Sequence, residues 1–302
     1  VPAPADLSAS LAALPPLREV VRAHGLQARK SLGQNYLFDL NLTRKIARST
    51  GSLDGVTVIE IGPGPGGLTR ALLEEGAAKV VAVEADRRFI PALEEIAAHA
   101  AGRLTLVEAD ALAFEPPRDV GDLVSCGPVR VIANLPYNIA TPLLVGWLQS
   151  EPWPPWWEVL AVMVQREVAL RIVATPQERA AYGRLAVLAG WRSEPHILFD
   201  VPASAFTPPP KVTSSLVRLD PRPRPLACDT KALERVTAAA FGQRRKMLRQ
   251  SLRTLGLEPS TLIEAAGVLP TSRAEELPIE AFVAMANALS ACGRDSRAGA
   301  EG

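Results

Sequence analysis

Val56-Thr57-Val58-Ile59-Glu60-Ile61-Gly62-Pro63-Gly64-Pro65-Gly66-Gly67 decides the fold of this 302-residue chain. A β-branched apolar run, a glycine loop and a helical pattern from Leu68 to Glu75 form the nucleotide-binding opening of an α/β sheet. Gly62, Gly64 and Gly67 satisfy the dinucleotide spacing G-x-G-x-x-G, which on its own also fits an NAD enzyme. Two details lean elsewhere. Glu60 stands two residues before the first glycine, and Pro63 and Pro65 stiffen the loop. Such a loop suits a ligand with an amino-acid end, whose ammonium can be met by acidic or carbonyl groups, better than it suits a pyrophosphate.

Working outward, three more apolar runs end in polar groups. Lys79–Glu84 closes on Glu84, placed to accept from both ribose hydroxyls, as NAD enzymes also arrange it. Leu104–Ala109 is followed by Asp110, which could accept from an adenine amino group or cap the next turn. Val129–Ala133 leads into Asn134-Leu135-Pro136-Tyr137. The Asn134 side-chain oxygen and the Leu135 carbonyl can each accept one N–H of an exocyclic amine. Pro136 narrows the directions that carbonyl can take. The Tyr137 ring can lie flat against a base; a polar turn with Tyr137 as ordinary packing is the plainer alternative. Ligands in open α/β sheets bind at these carboxyl ends.

Taken together, these motifs resemble the bacterial small-subunit ribosomal RNA adenine dimethyltransferase family, from about Arg29 to Leu255. The resemblance is carried by Lys30-Ser31-Leu32-Gly33-Gln34-Asn35-Tyr36-Leu37, with Tyr36 where the family usually has Phe, by Glu60-Ile61-Gly62-Pro63-Gly64 and by Asn134-Leu135-Pro136-Tyr137-Asn138-Ile139. Gln165-Arg166-Glu167-Val168-Ala169, Tyr182-Gly183-Arg184-Leu185, Phe206-Thr207-Pro208-Pro209-Pro210-Lys211-Val212 and Phe241-Gly242-Gln243-Arg244-Arg245-Lys246 follow in order. The resemblance implies a class I, Rossmann-like sheet that uses S-adenosylmethionine to dimethylate N6 of two adjacent adenines near the 3′ end of 16S ribosomal RNA. It implies cofactor contacts at Asn35, Leu37, Gly62, Gly64, Glu84, Asp110 and Asn134. It also implies that Asn134, Leu135 and Tyr137 hold the target adenine, with Phe206 facing Tyr137 across it. The rivals are a large-subunit enzyme of the macrolide-resistance type, a non-catalytic assembly or transcription factor on the same scaffold, and an NAD-dependent oxidoreductase.

Charge is unevenly spread although the formal net charge is only +1. Residues 1–50 hold seven Lys/Arg against three Asp/Glu, residues 51–205 twelve against nineteen, residues 206–256 eleven against three, and residues 257–302 three against seven. Two basic stretches flanking an acidic one fit a grip on a phosphate backbone. Arg244, Arg245, Lys246, Arg249 and Arg253 form the densest patch, and a helix over Arg244–Leu255 would align residues 245, 249 and 253 for RNA contact. Cys126, Cys228 and Cys292 are scattered, without metal-ligand spacing, and fit reduced cytosolic thiols. Neither a metal site nor a membrane span is expected, and the protein is expected to be a cytoplasmic monomer whose partner is an assembling small ribosomal subunit.

The expected organisation is α/β with a smaller C-terminal α-helical domain. Residues 1–28 form a lead-in and helix, with Val1–Leu17 frayed; residues 29–220 form the catalytic domain; residues 221–302 form a helical RNA-binding domain ending in a disordered tail, Gly293–Gly302. Helices are expected over Leu17–Gly25, Leu40–Thr50, Ala232–Phe241, Arg244–Leu255, Ser260–Ala266 and Ile279–Ala291, and a loop over Glu115–Pro128. The Trp153, Trp156 and Trp157 cluster fits packing over a helix end better than a stacking platform.

Overall fold

The computed structural model describes residues 4–29, 34–124 and 127–298. Lys30-Ser31-Leu32-Gly33 of the N-terminal motif, and Cys126, lie outside the described residues. The strands are β1 (Tyr36–Leu37), β2 (Thr57–Ile61), β3 (Lys79–Glu84), β4 (Leu104–Glu108), β5 (Val129–Asn134), β6 (Val159–Gln165), β7 (Ser193–Val201), β8 (Phe206–Thr207) and β9 (Ser214–Pro221). The helices are α1 (Pro4–Ala12), α2 (Leu17–Ala23), α3 (Leu40–Ala47), α4 (Gly67–Glu74), α5 (Ile90–His99), α6 (Pro116–Asp119), α7 (Gly121–Val124), α8 (Tyr137–Leu148), α9 (Arg166–Val173), α10 (Arg184–Arg192), α11 (Thr230–Gly242), α12 (Leu248–Ser251), α13 (Pro259–Ala265) and α14 (Ile279–Ala298).

Seven strands form one sheet in the order β4-β3-β2-β5-β6-β9-β7. The five from β4 to β6 run parallel, and β9 lies antiparallel to β6. Every residue of β2 is buried, as expected of a parallel strand covered on both faces. The chain leaves β2 toward β3 on one side and has β5 on the other. The topological switch point therefore lies between the carboxyl ends of β2 and β5, where such sheets open a crevice. A separate two-stranded antiparallel ribbon pairs β1 with β8, setting Tyr36 opposite Thr207 and Leu37 opposite Phe206.

Packing divides the chain into two compact units. The larger holds residues 1–147, 155–169 and 196–221; the smaller holds 148–154, 170–195 and 222–302. A single cut after residue 220 thus does not describe the packing: Tyr182, Val187 and Trp191 bury with Val236, Phe282 and Met285 in the smaller unit's core. The lead-in is also more ordered than expected. Leu7, Leu11 and Leu14, spaced for one helical face, bury in the core of the larger unit. The Arg70 guanidinium fastens the segment by donating to the Pro15 carbonyl at 2.7 Å. At the other end α14 continues to Ala298, so Gly293 does not end it and residues 293–298 are helical rather than a disordered tail; one glycine costs a helix only about 1 kcal/mol. The expected loop over 115–128 contains the short helices α6 and α7.

The glycine loop docks α4 against the sheet. Gly66 has φ +87°, and a Cβ there would stand 2.2 Å from the Ile96 side chain. A Cβ on Gly67 would stand 2.8 Å from the Leu37 carbonyl, so the missing side chain lets β1 lie over the start of α4. Between β2 and α4 sits one buried acid. Thr69 Oγ1 donates to Glu60 Oε2 at 2.6 Å, with Thr69 fully buried and Glu60 2% exposed. Burial pushes the Glu60 carboxyl up to about 8; the Thr69 bond opposes the rise and the Glu84 charge adds to it. A carboxyl raised above its unfolded value contributes stability that is complete below the unfolded pKa and is lost as pH rises through the folded one. The Tm of Glu60→Gln minus that of the wild type should therefore increase between about pH 4.5 and 8 and level off above that. Thermal denaturation across that range checks it, and a difference that does not vary with pH contradicts the account.

Candidate active site

The switch point opens into a cleft of about 540 Å³, within the usual range for ligand sites. Its lining includes Asn35, Leu37, Gly62, Gly64, Glu84, Asp110, Asn134, Leu135 and Tyr137, so the structure brings together residues far apart in the chain. Most arrive at the end of a strand or on the loop that follows, Asn35 stands just before β1, and Tyr137 opens α8.

Glu84, the last residue of β3, is buried and braces two loops. Its Oε2 accepts from the Gly64 N–H at 3.0 Å and its Oε1 from the Asp86 N–H at 2.8 Å. One lone pair per oxygen remains for a diol. Burial pushes its carboxyl up, while the bonds from the Asp86 and Gly64 N–H groups oppose the rise. Gly62 and Gly64 both have positive φ, which leaves the loop backbone lying along the cleft floor.

Asp110 realises the capping alternative and also lines the cleft. Its Oδ1 accepts from the Leu112 N–H at 3.0 Å and its carbonyl from the Ala113 N–H at 3.0 Å. The second carboxylate oxygen keeps its acceptor capacity.

Asn134 ends β5 and is half-buried. Its Nδ2 donates to the Asn35 carbonyl at 3.3 Å, which leaves Oδ1 as the acceptor offered to a ligand. Leu135 is 1% exposed yet lines the cleft, so it offers main chain rather than side chain. Its N–H donates to the Met163 carbonyl at 3.3 Å, anchoring the motif to β6. Pro136 then opens α8, its carbonyl accepting from the Ile139 and Ala140 N–H groups. Tyr137 is half-buried at the mouth of the cleft, and its hydroxyl lies 2.7 Å from Ser214 Oγ.

Phe206 is not where the sequence reading puts it. It is 2% exposed, buries with Leu37, Met163 and Leu216, and is not among the cleft-lining residues. The pairing of Leu37 with Phe206 in the β1–β8 ribbon accounts for this, because it makes the ring part of the packing under β1. A phenylalanine ahead of a proline run looks the same from sequence whether its ring is covered or open.

Sequence reasoning missed a polar hub at the opposite rim. Gln34 Oε1 accepts from the Arg29 N–H at 2.9 Å and from Arg88 Nη2 at 3.3 Å, while Gln34 Nε2 donates to Asp86 at 3.0 Å. The Arg88 guanidinium beside Asp86 holds that carboxyl down to about 2, so it stays ionised. Tyr36 lies edge-on to Phe89 at 5.9 Å, and burial pushes its hydroxyl up to about 12. Gln34 stands inside the quoted motif, but nothing local marks its partners more than fifty positions away.

The basic patch is rearranged too. Residues 243–246 form a turn, with the Lys246 N–H donating to the Gln243 carbonyl at 2.8 Å, and the helix begins only at Leu248 before tightening into a 3₁₀ turn over Leu252–Leu255. The expected shared face of residues 245, 249 and 253 therefore does not form. Helix α11 breaks at Gly242-Gln243, and Met247 has extended φ/ψ. Arg244 Nη2 donates to the carbonyls of Arg179 at 2.6 Å and Tyr182 at 3.0 Å, which makes it a clamp within the smaller unit. Arg245, Lys246, Arg249 and Arg253 are exposed, and none makes an ion pair with a described residue. The tryptophans are packed: Trp157 is buried, and Arg192 lies between the rings of Trp153 and Trp191 at 4.4 and 4.1 Å.

Among the described residues no group of three or more His, Cys, Asp or Glu is placed to hold a metal ion, and no helix is long and apolar enough to cross a membrane. Cys228 and Cys292 are not joined in a disulfide.

Comparisons with known proteins give the family and the fold. The ribosomal RNA adenine dimethylase family profile matches residues 25–291. Ribosomal RNA small subunit methyltransferase A of Methylobacterium radiotolerans is 65% identical over 274 residues, covering 91% of this chain and 92% of its own. The protein of the same name from Rhodopseudomonas palustris strain TIE-1 is 63% identical over 277 residues, covering 92% of this chain and 95% of its own. Among solved structures, a dimethyladenosine transferase from Plasmodium falciparum shares the fold with a TM-score of 0.71 at 22% identity, over 85% of this chain and 98% of that one. The 23S rRNA methyltransferase ErmE superposes with a TM-score of 0.61 at 27% identity, over 85% of this chain and all of that one. The chain, an α/β protein with a Rossmann-like sheet, belongs to the ribosomal RNA adenine dimethylase family.

Proposed function

We propose that this chain transfers methyl groups from S-adenosylmethionine to N6 of two adjacent adenines near the 3′ end of small-subunit ribosomal RNA. The observation that carries the proposal is the meeting of Asn134, Leu135 and Tyr137 with Glu84 and Asp110 in one cleft at the switch point. The name of relatives at 60–65% identity supports the small-subunit substrate over the large-subunit one. On this reading the chain works as a cytoplasmic monomer on an assembling small subunit.

The residues fit the methyl donor. Glu84 has a lone pair on each oxygen for the ribose diol, and Asp110 has an oxygen for the adenine amine. Burial keeps the Glu60 carboxyl protonated near neutral pH, and a cationic amino-acid end beside it would favour its ionised form. Asn35 and Leu37 close the site through the segment held by Asn134 Nδ2. When bound, the donor supplies a methyl on a sulfonium, an activated leaving group.

Asn134 Oδ1 and the Leu135 carbonyl accept the two N–H groups of the target amine. This favours a pyramidal nitrogen whose lone pair is available for in-line attack. The amine proton can leave after methyl arrival, so the chain needs no strong base at this point. The adenine must leave its stack, at a cost of a few kcal/mol, and the Tyr137 face recovers roughly 1–3 kcal/mol of it. Phe206 acts beneath β1, holding Leu37 against the cleft. Arg245, Lys246, Arg249 and Arg253 are free to meet phosphates.

Transfer of labelled methyl to small subunits lacking the modification, with the product mapped to the base, tests the assignment. Label on two adjacent N6-dimethyladenines supports it, and label confined to large-subunit RNA overturns it. Asn134→Ala should cut turnover by at least about a hundredfold, the scale seen when one transition-state acceptor or donor is removed. Its RNA affinity should change by less than about threefold; equal losses of both would make Asn134 structural. The double change Arg245→Glu and Arg249→Glu should weaken RNA binding and flatten its salt dependence while leaving donor affinity intact. Titrations at several ionic strengths check this, and loss of donor binding as well would contradict it.

A further inference from the structure

The Tyr137 hydroxyl has a partner that the proposed reaction does not itself require. It lies 2.7 Å from Ser214 Oγ, 77 positions along the chain. Ser214 is fully buried at the start of β9 and pairs in register with Gln165 at the end of β6. The preceding residue, Thr213, accepts the Arg166 N–H on its carbonyl at 2.9 Å. The following residue, Ser215, points to the opposite face of the strand and donates to Asp200 Oδ1 at 2.6 Å. Asp200 in turn accepts from Arg166 Nε at 2.9 Å. The start of β9 is thus held by main-chain pairing to β6 and by a side-chain bond on the face opposite Ser214.

Tyrosine has only two side-chain torsions, and a fixed para oxygen sets the first of them, because that oxygen lies on the ring axis and its position fixes where the axis points. A ring that merely filled space at the root of α8 would gain little from a hydroxyl; phenylalanine would pack as well. Here the ring edge is buried against Ser214 while the residue lines the cleft beside Asn134 and Leu135. We propose that Ser214 is a positioning residue that fixes the direction of the Tyr137 ring axis, and so the place in the cleft where a flipped adenine stacks on the ring with its amine delivered to Asn134. The inference rests on the methyl-transfer reading above and adds to it a residue outside the cleft.

The bond acts on the geometry of attack and not on the donor site, since Ser214 is not among the cleft-lining residues and its hydroxyl bonds to Tyr137. The test uses the full-length chain with Ser214→Ala, Tyr137→Phe and the double variant. Labelled methyl transfer to unmodified small subunits is measured as kcat and as KM for each substrate. Each single variant should lower kcat by about tenfold, the loss expected of one partly buried hydrogen bond, with the donor KM unchanged. The double variant should be no slower than the worse single one, because both changes break the same bond. Unchanged kcat in both single variants, losses that multiply in the double variant, or a parallel rise in donor KM would each overturn the inference while leaving the methyl-transfer reading intact. If Ser214→Ala does not fold, Tyr137→Phe breaks the same bond from the cleft side and decides the question. A wild-type chain that labels no small subunit overturns the reading and the inference together.

Discussion

The two oxygens of Glu84 hold the cleft in shape. One takes the Gly64 N–H and the other the Asp86 N–H, so a single buried carboxylate braces the glycine loop after β2 against the turn after β3. Backbone N–H groups are obligatory donors, and two that point into a cleft need acceptors whether or not a ligand is present. Glu84 supplies them and keeps acceptor capacity for the ligand. The glycine loop, the placement of α4 and the rim hub of Gln34, Asp86 and Arg88 all lean on that bracing.

Opposite it, Asn134 does comparable work with an amide. Its nitrogen is committed to the Asn35 carbonyl, and that commitment orients its oxygen. The two sides of the cleft divide the chemistry. On the proposed reading, Glu60, Glu84 and Asp110 would present acids to a cationic, diol-bearing ligand, while Asn134 and Leu135 would present neutral acceptors to an amine. A neutral acceptor suits the amine better than a carboxylate would, because an ionised group would compete for the donor's positive charge.

Local signals marked most of the fold and half of the site's detail. The strand-loop-helix at Val56–Glu75, the strand-end acids and the Asn134 motif are each written within a few consecutive residues, and each element stands close to its expected bounds. What stayed hidden depends on pairing across the chain. The burial of Phe206 follows from its register with Leu37, and the anchoring of Tyr137 from a serine on another strand. The clamp made by Arg244 depends on carbonyls of a turn more than sixty positions away. At the basic patch the spacing suggested one helix, but Gly242 and Gln243 end α11 and the chain turns before α12 begins. Positive charge is legible from composition; which cations are already engaged is not.

The division of labour in the cleft can be tested by a crystal structure of the chain with S-adenosylmethionine bound. The account predicts the ribose hydroxyls on Glu84, the adenine amine on Asp110 and the transferable methyl facing the space in front of Asn134 Oδ1 and the Leu135 carbonyl. A donor bound elsewhere, or one whose methyl points away from Asn134, would contradict it.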